Sequence, residues 1–449
     1  MLTSKLSDYI ISTSFDQLPE NVLNKAKDCF MDFLGVAIKG STTRGSESVR
    51  GVIKPGDEST VIGDFKASAL DAGMANGISA HSLDLDDGHQ LAQLHPGACV
   101  IPAALALCES RKRSGRELIE SMVAGYQTAI ALGILINPTH REQGFHSTGT
   151  CGTLGAAAAA CKALKLNKTQ IIDALGLAGT QAAGLLESDH SGSMGKHLHA
   201  GRAVQSGILS ALLAENGFTG APTILEGDEG FFKAMSGVDP SKTDFNLIFN
   251  DYKILEVYFK IYPVCRHLHS SIDALLAIFK DNHIKPDEIK EIVVYTYKIA
   301  ASHDNYHPTN TEALRQSLPL SLAVSLLNEN NRMNNLYNMN YPSNDKIFNH
   351  KVSELSRKIV IKEDVNLTKK YPSTRPSHVF VRTLDENFEQ RVDLPFGEPE
   401  NPLKKSDIKQ KFINLNPKVD TKVFHIIENM ENYQDINQFM DEINQQITV

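Results

Sequence analysis

The chain has no C-x-x-C pair, no long basic block and no nucleotide-binding fingerprint, and each absence removes a class of function. Its six cysteines, Cys29, Cys99, Cys108, Cys151, Cys161 and Cys265, are scattered over 449 residues. That spacing builds neither a zinc nor an iron–sulfur framework, so the thiols are expected to be reduced and mostly buried. With 45 Lys+Arg against 53 Asp+Glu, the formal net charge is −8. A phosphate-binding face wants the opposite sign, so no nucleic-acid partner is expected. Neither a dinucleotide motif nor a P-loop is present, and no organic cofactor or metal is expected. No run of about 18 uncharged apolar residues occurs, which argues against a membrane span. The N-terminus, with Lys5 and Asp8 among polar residues, carries no targeting pattern, and the cytoplasm is the default expectation.

What is present is helix after helix. Val22, Leu23, Ala26, Phe30, Phe33, Leu34 and Ala37 recur at helical spacing between Pro19 and Gly40. A short hairpin is read at 59–65 and an Ala/Gly-rich helix at 67–82. Further helices are read at 102–113, 118–132, 153–164, 169–186 and 202–216. The small residues of 155–160 let helices approach closely. Composition changes near Asn250: β-branched and aromatic stretches at 254–261, 291–297, 358–361 and 378–383 read as strands, with helices at 270–279 and 312–327 among them. The expected fold is mainly α, a large all-helical domain (1–251, rejoined by 403–449) with a smaller α+β lid domain (252–402).

Histidine is unevenly placed. None of the sixteen falls in the first eighty residues, and ten lie between His81 and His269. The densest cluster, Lys196-His197-Leu198-His199-Ala200-Gly201-Arg202, stands just before the helix read at 202–216. Basic residues at a helix start oppose the macrodipole, at roughly 0.3–1 kcal/mol each, so local stability does not explain them. The segment Tyr262-Pro-Val-Cys-Arg266-His267-Leu-His269 repeats the pattern before another helix. Both starts look built for an anion, the alternatives being a solvated helix start and, for His267 and His269, a metal pair.

The segment from His81 to His95 holds Asp84, Asp86 and Asp87 with three imidazoles. A calcium loop would need other residues where Gly88 and His95 stand, and an isoprenoid-synthase magnesium motif would need Asp in place of Gln90. A solvated acidic loop and a less regular divalent site stay open. Gly144-Phe-His146-Ser147-Thr148-Gly-Thr opens a helix with hydroxyls and backbone N–H groups, which attract a carboxylate or simply cap the helix.

Taken in order, these segments resemble the MmgE/PrpD family. The matching stretches are HSLDLDDGH…HPG from His81, GFHSTGTCGTLGAAAAA from Gly144, SMGKHLHAGRA from Ser193, TGAPTILEGDEGFF from Thr219, YPVCRHLHSSIDA from Tyr262 and GEPENPL from Gly397. The resemblance spans nearly the whole chain. It implies a homodimer, a pocket between the two domains and a small polycarboxylate substrate. The activities it implies are dehydration of a 2-methylcitrate-like acid, decarboxylation of a cis-aconitate-like acid or epimerisation of an iminodisuccinate-like diacid, with a binding-only relative as the reading from another class. By similarity to the decarboxylase branch, the catalytic positions fall on Asp84, His95, His146, Lys196 and His269. That branch carries Thr where this chain has Gly88, and the spacing to His95 is one residue longer here. Removing a proton beside a carboxylate builds enolate-like charge, which preorganised cations stabilise. On this reading His146 or His269 is the base, the other or His95 the acid, and Asp84 orients a histidine. Lys196 and Arg266 hold substrate carboxylates, with Ser147, Thr148, His199, Arg202 and His267 as further substrate contacts.

Overall fold

The structure, a computed structural model, describes residues 1–242, 249–327 and 345–447. The chain divides into two compact units. The first comprises Met1–Leu186, Gly195–Tyr258 and Lys404–Val449; the second comprises Glu187–Met194 and Phe259–Leu403. The division falls at 258/259, not 251/252, because Tyr258 exchanges both backbone hydrogen bonds with Gly88 of the first unit, at 2.9 and 3.0 Å. For the same reason the strand expected at 254–261 is absent. Lys253–Glu256 is a 3₁₀ turn, and Tyr258 makes an isolated bridge.

The first unit is helical, with one short antiparallel pair, Pro55–Thr60 and Lys66–Ala67. Its helices include α1 (Glu20–Gly40), α2 (Ala69–His81), α3 (Gly97–Ser110), α4 (Gly115–Ile136), α5 (Ser147–Leu164) and α6 (Gly195–Glu215). α4 begins on a capping box, Ser114 with Glu117, which satisfies two N-terminal donors at once. It is long and apolar enough to cross a membrane, but 83% of its most apolar window is buried inside the protein, as a core helix requires. α5 and α6 are rich in Gly and Ala, so their backbones pack close to their neighbours. Where α2 crosses α6, a Cβ on Gly77 would come within 2.9 Å of Val204, and one on Gly201 within 2.5 Å of Ile78. Larger residues at this crossing would push the first turns of α6 away from the end of α2.

α6 starts at Gly195, about two turns earlier than its periodicity suggests, so Lys196 to Arg202 lie inside the helix. The helix Lys405–Leu415, first of those after the second unit, packs on α1. A Cβ on Gly35 would meet the Phe412 ring at 2.6 Å, and Lys411 Nζ reaches Asp32 Oδ1 at 2.6 Å. Burying the Phe412 ring contributes roughly 1.5–3 kcal/mol to holding that helix in place. Lys411 also donates to the carbonyl of Leu85 at 2.8 Å, which pins the acidic segment from beneath.

The second unit is α+β. β1 (Glu291–Thr296), β2 (Ile359–Glu363), β3 (Ser377–Arg382) and β4 (Asn387–Val392) form one sheet in the order β2-β1-β3-β4. β1 and β2 are parallel with Ile292 opposite Ile359, and the other pairs are antiparallel. Helix α7 (His269–Asn282) packs Ile272, Leu275 and Ile278 into the core with Ile292, Val294, Val379 and Val381 of the sheet. β4 is not legible in the sequence because Asn387, Glu389, Gln390 and Arg391 are exposed on an edge.

Candidate active site

The polar cluster of the first unit is built from three segments that α2, α5 and α6 bring together. The loop from Ser82 to Pro96 is not a solvated acidic loop. Asp84, Asp86, Asp87 and His89 are each 2–3% exposed, so their polar groups must find partners inside. Asp84 adopts φ +50°, an uncommon conformation for a non-glycine residue, and turns its carboxylate onto Lys196 with Oδ1 3.0 Å from Nζ. Asp84 was expected to orient a histidine. The carboxylate set against imidazoles is instead Asp86, whose Oδ2 lies 2.8 Å from His81 Nδ1 and 3.6 Å from His95 Nδ1.

Asp87 takes a third role. It accepts from Tyr126 Oη at 2.6 Å and from the Gly97 N–H at 2.8 Å. Gly97 must be glycine, since a Cβ there would fall 2.7 Å from both Asp87 and Tyr126. Burial is the main influence on this carboxyl and pushes it up to about 7; the Tyr126 and Gly97 hydrogen bonds oppose that, and Asp86 reinforces it. His89 closes the loop. It accepts from the Ala92 N–H and sets Nε2 2.9 Å from Glu256.

His95 is half-buried. Its Nδ1 donates to the carbonyl of Asp87 at 2.7 Å, and its backbone N–H donates to Thr148 Oγ1 at 3.1 Å. The ring is therefore the Nδ1–H tautomer when neutral, with its lone pair on Nε2. His146 caps α5, anchored by its N–H to the Gly184 carbonyl at 3.0 Å, and its Nδ1 lies 3.0 Å from Nδ1 of His199. Burial first, and then the charges of His81, Lys196, His199 and His95, hold His146 well below the usual histidine range. It is a neutral imidazole in one cluster with the Lys196 ammonium. Ser147 and Thr148 are buried on the first turn of α5. Ser147 Oγ accepts from Asn137 Nδ2 at 3.1 Å, and the two hydroxyls line the start of the helix instead of capping it.

The structure thus brings together Asp84, His95, His146, Thr148, Lys196 and His199, with Ser147 adjoining them, all in the first unit. Arg202 is left out: it is exposed and its guanidinium runs along its own helix to Gln205. Sequence reasoning passed over His81 and Asp86. The five-residue spacing across the end of α2, a histidine followed by an aspartate, is the signal that could have found them. Donor atoms of His81, Asp86 and His95 lie within 4.8 Å of one another, a grouping that could hold a metal ion. The Nδ1–H groups of His81 and His95 point at Asp86 and at the Asp87 carbonyl, which leaves the lone pair of each neutral ring on Nε2.

In the second unit, Arg266, His267 and His269 are all buried. The Arg266 fork, expected to grip a substrate carboxylate, is turned inward onto Glu398, with Nη2 2.7 Å and Nε 3.1 Å from Oε1. Its Nη1 donates to His269 Nδ1 at 3.0 Å, and His269 Nε2 lies 3.3 Å from the Val264 carbonyl. Both nitrogens of His269 are therefore engaged, its lone pair facing a guanidinium. That arrangement suits a held ring better than a free base. His267 Nδ1 meets Tyr297 Oη at 2.5 Å, and its ring stacks on His303.

Residues 4–244 match the MmgE/PrpD N-terminal domain and residues 262–433 the MmgE/PrpD C-terminal domain. The chain is similar to human cis-aconitate decarboxylase, 26% identical over 465 residues and covering 97% of this chain and 92% of that one. The mouse cis-aconitate decarboxylase is 26% identical over 462 residues, 97% and 91% of the two chains. A cis-aconitate decarboxylase of Aspergillus terreus is 24% identical over 441 residues, 92% and 89%. With both domains matched in order along nearly its full length, the chain belongs to the MmgE/PrpD family.

Proposed function

We propose that this protein is a lyase that acts on a small di- or tricarboxylate by proton transfer beside a carboxylate, expelling CO₂ from a cis-aconitate-like acid or water from a 2-methylcitrate-like acid. The observation that carries the reading is His146: a buried imidazole kept proton-free, within one cluster with the Lys196 ammonium. A base must be unprotonated at working pH, and the charge it creates needs a cation already in place. His146 is the base on this reading, Lys196 the fixed charge, and the acid is His95 in its imidazolium form, which carries a proton on Nε2 as well as on the clamped Nδ1. The similarity to cis-aconitate decarboxylases supports the substrate class. The experiment is proton NMR of the purified protein in D₂O with citrate, 2-methylcitrate, cis-aconitate and iminodisuccinate. A new vinyl or methylene signal is expected, and it identifies which group left.

Epimerisation is the second reading, and Gly88 weighs against the decarboxylating one. The decarboxylase pattern carries Thr there, whereas here the Tyr258 hydroxyl occupies that space, 2.3 Å from where a Cβ on residue 88 would stand. Deuterium entering the α-position without a new product selects this reading. Silence from folded protein across the panel puts the substrate outside these acids or leaves a protein that only binds them.

A further inference from the structure

We propose that Asp86 and His81 form a positioning dyad for the proton-transferring histidines: Asp86 fixes the His81 ring, and that ring holds His95 and His146 in place. The activity it serves rests on the lyase reading above; the dyad itself is a feature of the substrate-free protein.

His81 is the last residue of α2 and fully buried, with its Nδ1 2.8 Å from Asp86 Oδ2. A carboxylate only accepts, so Nδ1 carries the proton. The other nitrogen, Nε2, is buried and has no hydrogen-bond partner among the described residues. Leaving such a group unsatisfied costs roughly 1–3 kcal/mol, which an apolar side chain of similar shape would avoid. Fold stability therefore does not explain a histidine here; its neighbours do. The His81 ring stacks on His146 at 5.8 Å and 19°, lies 4.9 Å from His95 and meets His197 edge-on at 6.5 Å. The same carboxylate oxygen that holds His81 is 3.6 Å from His95 Nδ1. One aspartate thus orders one ring directly, and that ring separates the two proposed to exchange protons with substrate.

The dyad also acts on charge. His146 is faced by His81 from α2, His95 from the loop, and Lys196 and His199 from α6, each of which opposes its protonation. His81 is faced by Asp86, His95, His146 and His197. When His81 carries a second proton it repels one on His146, so removing the imidazole lets His146 bind its proton more readily. The base is then unprotonated only at higher pH, and the acid limb of kcat/KM moves up.

The test has two arms. Long-range proton–nitrogen NMR of ¹⁵N-histidine protein, without substrate, should show neutral His81 as the Nδ1–H tautomer. Steady-state pH profiles should then be taken for His81→Phe, Asp86→Ala and Asp86→Asn. His81→Phe is expected to lose about tenfold or more in kcat with KM little changed, and its acid limb to shift upward. Asp86→Asn, whose amide oxygen still accepts from Nδ1–H, should retain most of the kcat that Asp86→Ala loses. An Nε2–H tautomer overturns the dyad whatever the enzyme does. So does wild-type kcat with an unmoved limb in folded His81→Phe or, where that variant does not fold, in Asp86→Ala. Absence of any turnover in the wild type counts against the lyase reading and leaves the tautomer arm to decide the dyad.

Discussion

Replacing Lys196 by methionine removes the ammonium and leaves Asp84 behind. Both partners are nearly buried, at 8% and 2% exposure, with Nζ and Oδ1 3.0 Å apart. Breaking such a pair from one side strands a charge away from water, at about 3–5 kcal/mol, whereas removing both charges together is far milder. The Lys196→Met protein should therefore fold with a stability lower by about that amount. Lys196→Met in an Asp84→Asn background should lose much less, a coupling of at least about 2 kcal/mol. Turnover tells a separate story. If Lys196 stabilises charge in the transition state, both Lys196 variants lose about 10²–10³ in kcat, since restoring stability does not restore the cation. Urea unfolding of the four proteins of the cycle, together with kcat for each, separates the two effects. Equal destabilisation by Lys196→Met in both backgrounds would refute the buried pair. Full activity in either Lys196 variant would remove Lys196 from the chemistry.

Three further outcomes follow from other parts of the first unit. Burial pushes Glu109 up to about 7, against the Thr60 hydrogen bonds and Lys66 that oppose it. A carboxyl raised on folding stabilises below its unfolded value and loses that contribution as pH rises through the folded one. Between about pH 5.5 and about pH 8.5, Glu109→Gln should thus lose about 2 kcal/mol less stability than wild type, measured by urea unfolding. Gly88→Thr must displace Tyr258, so it should destabilise by about 1–3 kcal/mol, and by clearly less in a Tyr258→Ala background; simple additivity would show that the ring yields freely. Treatment with a strong chelator should leave turnover unchanged if the His81, Asp86 and His95 donors serve one another. Loss of activity restored by a divalent ion would make them ligands instead.

Periodicity and motif order carried the architecture a long way, because α1 repeats its apolar residues at helical spacing, α3 and α5 are apolar or small-residue runs buried on nearly every face, and the segments of the cluster keep their order. What stayed hidden depends on which atom faces which. Nothing in the spacing of Asp84 and Asp86 says that the first turns toward Lys196, 112 positions on, and the second toward His81. Arg266 reads as a cation before a helix, and only the fold supplies Glu398 as its counter-charge. The stretch 254–261 has strand-like composition, yet Lys253–Glu256 winds into a 3₁₀ turn whose backbone is set by Gln127, which accepts from the Lys253 N–H at 2.8 Å. Its apolar residues are buried there just as a strand would bury them, so composition alone could not tell the two apart.

The pH dependence of the reaction brings these strands together. A histidine in water takes up its proton near pH 6.5, and a site crowded with cations would be poor at offering a base if its imidazole behaved that way. Here burial, His81, Lys196, His199 and His95 all act on His146 in one direction, downward. The Lys196 ammonium that would stabilise developing carboxylate-side charge is thus one of the groups that keep the base free of its proton. The acid limb of kcat/KM should consequently lie below about pH 6.5, and activity should persist where an ordinary histidine base has become protonated. Neutralising the fixed charge with Lys196→Met should move that limb upward on whatever activity remains. A wild-type limb above about pH 7 that Lys196→Met leaves in place would mean that a group other than His146 takes the proton.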